Sequence, residues 1–261
     1  MRPAKYLFVM RTTIQNALAY WTDFLGSAFF MLLLMFVFIS LWSVIYGPGS
    51  VIDGFTFPMM IWYLVMAEAV IFSDSRLTDD VSGEIKSGHV AYSLNRPYHY
   101  VLFKYAQYMG NAILRFGVAF LAGSVLTALL VGGMEQGSQS LAVVLIVMLA
   151  ITLQFSFLMI IGLLAFWFED TQSFHLLYSK IVFTLGGMLI PLEFYPGWLE
   201  KLSLALPFST IPYYPAKLFV SFSHAFFMRA VIVQLAWIAI LWAVIFIIYA
   251  AASRRVQING G

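Results

Sequence analysis

Residues 25–46, LGSAFFMLLLMFVFISLWSVIY, form a long apolar run without a charged side chain. A helix needs about 20 apolar residues to cross the roughly 30 Å hydrocarbon core of a bilayer, because each residue advances about 1.5 Å. The run meets this length, and Gly47, Pro48 and Gly49 end it. It therefore predicts a membrane-spanning helix. We do not expect this run to be a cleavable signal sequence, because a signal sequence has a shorter apolar region followed by a small-residue cleavage site.

The composition of the whole chain agrees with this interpretation. Hydrophobic residues make up 62% and charged residues 10% of the 261 positions, whereas soluble domains carry about 25% charged residues. A soluble fold of this size lacks the interior to bury so much apolar surface. The absence of Cys excludes a disulfide scaffold, and a net charge of +2 gives no indication of nucleic-acid binding. The class predicted is an all-α, polytopic membrane protein.

Six apolar runs predict six transmembrane helices within a single domain, 1–261. The predicted spans are 25–46, 55–73, 108–131, 140–168, 176–192 and 229–252. Short segments on the cytoplasmic side of a membrane are enriched in Lys and Arg. Placing both termini in the cytoplasm puts ten of the 14 Lys and Arg residues on the inner side and three on the outer side. We therefore expect cytoplasmic termini.

Three segments are not expected to cross the membrane. Residues 2–23 place apolar side chains on one helical face and predict an interfacial helix, either an anchor alone or an arm that also touches a partner. Residues 74–100 are polar and longer than a connection requires, which favours a docking surface over a plain loop. Residues 193–227 are apolar but interrupted by prolines, which favours an outer re-entrant segment over an exposed loop with an aromatic belt.

The chain lacks the common sequence motifs of catalysis and cofactor binding. No G-x-x-x-x-G-K-[ST], G-x-G-x-x-G, H-E-x-x-H or G-x-S-x-G occurs in it. Its four His residues have no zinc-ligand spacing. We therefore predict no catalytic, cofactor-binding or metal-binding residue, and we expect a non-catalytic protein.

Glu68 and Arg115 are the two charged residues best placed within the predicted spans. A charge at the bilayer centre costs about 2.5–3.5 kcal/mol on insertion scales, so it usually faces protein or water. By the helical rise, both lie about 10 Å from the inner boundary. The matched depths allow a structural ion pair. Alternatively, Arg115 extends to the interface and Glu68 lines a polar path.

The order of these segments resembles the permeases of ABC type-2 exporters, in particular their viologen-exporter-like branch, over nearly the whole chain. The inner stretch resembles the family's D-x-x-x-G-x-I-x-x-x-L-x-R-P pattern, with altered spacing around Ser87–His89. Its matching residues are Asp80, Gly83, Glu84, Leu94, Arg96 and Pro97. The outer stretch is the more specific, and its matching residues are Gly187, Pro191, Pro196, Trp198, Leu199, Leu206, Pro207, Phe208, Pro215 and Phe219.

The resemblance implies a mechanism and a set of site residues. It implies a dimer with an identical or related permease, two separate ABC ATPase subunits that carry ATP and Mg²⁺, and a bacterial inner (plasma) membrane location without nucleic acid. Residues 79–97 would receive the ATPase motion, with Val81 and Ile85 as buried knobs in the ATPase groove and Glu84 as a polar latch. The outer hairpin would cap the exit path.

The full set of predicted coupling residues is Asp79, Asp80, Val81, Gly83, Glu84, Ile85, Leu94, Arg96 and Pro97. The predicted outer cap residues are Pro191, Pro196, Trp198, Pro207, Phe208 and Pro215. The alternative function is a stand-alone channel, secondary carrier or intramembrane enzyme. Inverted repeats and broken helices at matching positions would favour a carrier, and the sequence shows no such repeat. The substrate is not indicated by any motif.

Overall fold

The computed structural model describes residues 4–19, 22–90, 92, 98–133, 140–168 and 170–259. Within them the fold is helical, and its helices are α1 Ala4–Ala19, α2 Thr22–Ile45, α3 Phe57–Phe72, α4 Leu77–Lys86, α5 Tyr100–Leu130, α6 Ser140–Leu163, α7 Gln172–Leu185, α8 Gly197–Ala205, α9 Tyr213–Val220 and α10 His224–Asn259. Short 3-10 turns occupy Leu164–Phe166, Leu192–Phe194 and Pro207–Thr210. The predicted all-α polytopic fold is confirmed.

A tight hairpin reverses the chain between α2 and α3. Strands β1 (Val51–Ile52) and β2 (Phe55–Thr56) pair antiparallel. Asp53 and Gly54 both have positive φ, 46° and 83°, as the two-residue turn of a twisted hairpin requires. Thr56 then caps α3, since its side chain accepts a hydrogen bond from the Met59 N–H at 3.4 Å.

Five helical stretches of the described chain are long and apolar enough to cross a membrane. They are Phe24–Ile45, Phe57–Lys86, Tyr100–Leu130, Leu141–Phe166 and His224–Ala252. The second stretch joins α3 and α4. In the second and fourth stretches, 67% of the most apolar part is buried within the chain, against 17% in the other three. The helices α3 and α6 therefore form the centre of the chain, and α2, α5 and α10 surround them with apolar faces suited to lipid.

The predicted fifth span, 176–192, corresponds to the shorter helix α7. This helix has 14 residues and is therefore about 21 Å long, less than the hydrocarbon core of a typical bilayer. It ends at Leu185 because the chain turns at Gly186 and Gly187, and Gly187 has a φ of 71°. That this segment crosses the membrane stays a prediction.

Two helices begin before the spans predicted within them. The helix α5 begins at Tyr100, ahead of the span predicted from residue 108, and α10 begins at His224, ahead of the span predicted from residue 229. Hydropathy detects only the part of a helix that suits lipid, whereas a helix continues into polar flanks as long as its backbone hydrogen bonds persist.

The first helix and the last third of the chain pack on these spans. The backbone of α1 approaches α5 so closely that a Cβ added at Gly110 would lie 2.9 Å from the Met10 carbonyl oxygen. In the last third, α9 packs against α3 and α6 and buries Tyr214 and Pro215. The Gln234 amide on α10 donates to the Thr210 carbonyl at 2.8 Å. The proline-rich segment is thus held against the helices around it.

Candidate coupling helix and intramembrane cleft

The helix α4 forms within the predicted coupling segment for local reasons. Its first turn contains Asp79 and Asp80, and its last turn contains Lys86, an arrangement that complements the helix dipole. The chain enters α4 through Arg76, whose φ is 60°. The Arg76 N–H donates to the Asp74 carboxylate at 3.0 Å, which stabilises this left-handed entry turn.

One face of α4 packs on α6. Val81 is fully buried, and a Cβ added at Gly162 would lie 2.9 Å from the Val81 Cβ. The Thr78 hydroxyl donates to the Leu158 carbonyl at 3.3 Å. The absence of a side chain at Gly162 therefore lets α4 approach α6 closely.

Glu84 connects α4 to α5 through two charge-assisted hydrogen bonds. Lys104 Nζ donates to Glu84 Oε1 at 2.7 Å, and the Tyr100 hydroxyl donates to Oε2 at 2.8 Å. The Lys104 side chain is only 7% exposed, so the pair is poorly screened by solvent. We call Glu84, Lys104 and Tyr100 the α4 triad.

The start of α7 provides a third connection to this region. The Gln172 side-chain amide donates to the Asp79 carboxylate. His175 Nε2 lies 3.6 Å from the Asp74 carboxylate just before α4. That carboxylate raises the pKa of His175 above its usual range, against the opposing effect of partial burial. The α4 region therefore contacts α5, α6 and α7.

The structure changes the interpretation of the predicted coupling residues. Val81 was expected as a knob in a partner groove, but it is buried within this chain, and Ile85 is partly buried against the same core. Apolar residues at helical spacing pack on the nearest apolar surface, which here is α6. The exposed face carries Asp79, Asp80 and Gly83. Leu94, Arg96 and Pro97 lie outside the described residues.

The predicted intramembrane charges share one cleft. The cleft has a volume of about 380 Å³ and lies between α2, α3, α5 and Met188. Glu68 is 1% exposed, and its Oε1 has no hydrogen-bond partner. The three ion pairs among the described side chains do not include Glu68 with Arg115. The Arg115 guanidinium lies instead 5.8 Å from the centre of the Phe24 ring.

The predicted cap residues divide into two groups. Pro191, Pro207 and Pro215 are buried. Phe208 is partly buried and stacks on Phe157 with ring centres 5.2 Å apart. Pro196 and Trp198 are exposed.

A second triad holds the chain beside the buried cap prolines. Glu193 Oε1 accepts from the Tyr213 hydroxyl and from Lys217 Nζ, both at 2.8 Å. We call Glu193, Tyr213 and Lys217 the α9 triad.

Sequence reasoning did not single out the partners of either glutamate. Tyr100 and Lys104 are four residues apart at the start of α5, so they share one helical face. That spacing was available in the sequence. Lys217 and Glu193 are separated by a 3-10 turn, a helix and a bend, and no local signal connects them.

Buried central helices, surrounding apolar helices and a polar connecting helix define a multi-pass membrane protein. Residues 30–260 match the family described as ABC-2 family transporter protein, and the chain belongs to this family. The resemblance to ABC type-2 permeases is thereby confirmed, and the viologen-exporter-like branch is consistent with this family. A search among curated proteins found no match. Permeases of this family are transport components that work with ABC ATPases.

Proposed function

We propose that this chain is the membrane-spanning permease subunit of an ATP-driven exporter. Two permeases, identical or related, would form the translocation path, and two ABC ATPase subunits would bind on the cytoplasmic side of a bacterial inner membrane. ATP and Mg²⁺ would bind to the ATPase chains. The α9 segment and its buried prolines would cap the exit path. Membership of the family supports the transport role.

The observation that supports coupling best is the position of α4. It is a ten-residue helix with contacts to α5, α6 and α7. A load applied to α4 would therefore reach three helices at once. Rigid transmission of this kind can convert small movements at an ATPase interface into rearrangement of packed helices.

The surface offered to an ATPase would be the exposed face of α4. Asp79, Asp80, Gly83 and Lys86 follow one another at steps of one, three and three residues and are all exposed. Their charges suit the polar, solvent-accessible rim of a protein interface. The buried face, with Val81, would carry the movement into α6.

The test uses the permease coexpressed with its ABC ATPase and reconstituted in proteoliposomes. Asp80→Lys reverses a charge on the exposed face, and we expect reduced copurification of the ATPase. Glu84→Ala removes the connection to α5, and we expect the ATPase to stay bound while transport per ATP hydrolysed falls several-fold. Gly83→Pro should uncouple in the same way, because proline breaks a helix interior.

Glu200→Lys in α8 is the matched control for the charge reversal, because it lies far along the chain in the predicted outer segment. It should leave the copurification of the ATPase unchanged. Normal transport by Glu84→Ala and Gly83→Pro, in samples that retain the ATPase, would contradict the coupling role of α4.

A further inference from the structure

The intramembrane cleft contains a buried carboxyl group, Glu68, and a guanidinium group, Arg115, that are not paired with each other. Glu68 contributes a buried carboxyl group whose Oε1 has no partner, and Arg115 contributes a guanidinium. Asp74, the other acid of the cleft, is hydrogen-bonded by the Arg76 N–H and lies beside His175. Glu68 and Arg115 are therefore the two ionisable side chains of the cleft that have no hydrogen bond or ion pair with another described residue.

An unpartnered buried carboxyl group is costly, because burial removes its hydration without providing a hydrogen bond. Charged residues inside membrane proteins usually mark a pathway or a binding site. The cleft volume of about 380 Å³ falls within the range of small-molecule sites, about 300–1,000 Å³. The cleft can therefore accommodate a ligand group that satisfies Glu68.

The charges select the ligand class. A simple organic cation would be repelled by Arg115, and a simple anion would leave the Glu68 carboxyl group without a hydrogen-bond partner. A zwitterion satisfies both. The remaining walls include Phe30, Phe72 and Leu34, and the two Phe rings are 5.8 Å apart. Aromatic and aliphatic walls suit an apolar chain and also stabilise an adjacent ammonium group.

We propose that this cleft binds a zwitterionic amphiphile, with its ammonium group at Glu68, its anionic group at Arg115 and its apolar chain against Phe30 and Leu34. Because α2, α3 and α5 belong to the candidate spans, a bilayer phospholipid can reach the cleft from the side. A smaller soluble zwitterion shares the chemistry of its head group. Binding at this cleft does not depend on the ATPase or on the proposed transport function.

The experiment uses the purified full chain in a neutral maltoside detergent, without ATPase. Three probes are added separately: phosphatidylethanolamine, phosphatidylglycerol, which lacks the ammonium group, and phosphoethanolamine, which lacks the acyl chains. Native mass spectrometry measures the retained probe, and the midpoint of thermal unfolding measures stabilisation. We expect phosphatidylethanolamine to bind about tenfold more tightly than phosphatidylglycerol, the equivalent of one charge-assisted contact.

Two variants and a control test the assignment of the charges. Glu68→Gln keeps the side-chain shape and should abolish the preference for phosphatidylethanolamine over phosphatidylglycerol. Arg115→Gln should weaken both lipids. Arg229→Gln removes an exposed charge at the start of α10 and should change neither. Thermal unfolding without added lipid establishes that each variant is folded.

The outcomes separate the sources and can overturn the proposal. Binding of phosphoethanolamine as tight as that of the lipid would assign the site to a soluble zwitterion. Weak binding of phosphoethanolamine, with tight binding of phosphatidylethanolamine, would assign it to a phospholipid. Equal retention of both lipids by the unmodified chain, or an unchanged preference in folded Glu68→Gln, would overturn the proposal.

Discussion

The α4 triad and the α9 triad use the same three residue types in different ways. In each, a Glu accepts hydrogen bonds from a Lys and a Tyr at 2.7–2.8 Å. In the α4 triad the two donors occupy the two carboxylate oxygens. In the α9 triad both donors share Glu193 Oε1, and Oε2 is buried without a partner. The first arrangement satisfies its carboxylate more completely.

The surroundings of the two triads differ as well. Lys217 is 23% exposed and lies 4.5 Å from the centre of the Phe55 ring, beside the buried helix α9. Lys104 is 7% exposed and connects α5 to a helix with an exposed charged face. The α9 triad therefore adds to a contact made largely by apolar packing. The α4 triad is a main connection of its helix to α5.

Removing the lysine of each triad should give the largest and most unequal effect. Lys104→Met leaves Glu84 without its charge partner, and we expect a loss of about 2–3 kcal/mol, less than for a fully buried pair because Glu84 is partly exposed. Lys217→Met should cost about 1 kcal/mol or less, because Lys217 is 23% exposed against 7% for Lys104 and its charge is better screened by water. Chemical unfolding in mixed micelles measures both, and Lys201→Met, an exposed lysine on α8, is the control. Equal losses would show that the two triads do not differ in strength.

The packing of α4 on α6 can be tested at Gly162. An added methyl group would lie 2.9 Å from the Val81 Cβ and 3.0 Å from its Cγ1, so Gly162→Ala should destabilise the chain by about 1–2 kcal/mol through overpacking. Gly117→Ala in α5 is the matched control, because no atom lies within 4 Å of its added Cβ. It should be neutral or slightly stabilising. Similar unfolding midpoints for the two variants would argue against a tight α4–α6 contact.

The sequence predicted the class of the fold because hydropathy depends on local composition alone. The apolar run at 25–46, together with the number of residues needed to cross a bilayer, was sufficient to predict α2. The same criteria extended the fifth span to residue 192, past the end of α7, because hydropathy does not register the turn of the backbone at Gly186 and Gly187, where Gly187 has a φ of 71°. A pattern of apolar residues also gives no direction of packing, so it could not show that Val81 is buried within its own chain.

The candidate sites were predicted only in part for the same reason. Glu68 and Arg115 were selected because charges are rare within apolar runs, and the structure brings them to one cleft. Matching depths along two helices do not fix the rotation of either helix about its axis, and the ion pair, one of the two arrangements considered for these residues, is not among the ion pairs of the described side chains. Glu84 was selected by resemblance, but its partners depend on how α4 lies across α5.

The turn at Gly187, beside Tyr213 of the α9 triad, should be more sensitive to an added methyl group than the open position Gly197. Its φ is 71°, and an added Cβ would lie 3.0 Å from the Leu192 Cδ2. We expect Gly187→Ala to cost about 1 kcal/mol, from backbone strain in the left-handed region with some relief by side-chain movement. Gly197→Ala, where nothing lies within 4 Å of the added Cβ, is the control. If thermal unfolding does not distinguish the two variants, the close approach at Gly187 is wrong.

The contact between His175 and Asp74 should give the smallest effect, and it should depend on pH. The carboxylate of Asp74, with a smaller contribution from Asp79, raises the pKa of His175 above 6.5. A group whose pKa is raised on folding stabilises the folded state fully below its unfolded pKa, and this stabilisation is lost as the pH rises through the folded value. Both side chains are partly exposed, so solvent screening limits the effect to about 0.5 kcal/mol.

Thermal unfolding between about pH 6 and pH 8 measures this dependence, because the window brackets the usual pKa of histidine. His175→Asn removes the titrating group. The decrease in stability between the low and the high end of this pH range should therefore be smaller in His175→Asn than in the unmodified chain. His224→Asn, in the first turn of α10, is the control and should leave this decrease intact. If the stability difference between the unmodified chain and His175→Asn is the same at both ends of the pH range, the α7 connection to the start of α4 does not rest on this pair. The connection between α7 and the α4 region would then rest on the hydrogen bond from Gln172 to Asp79.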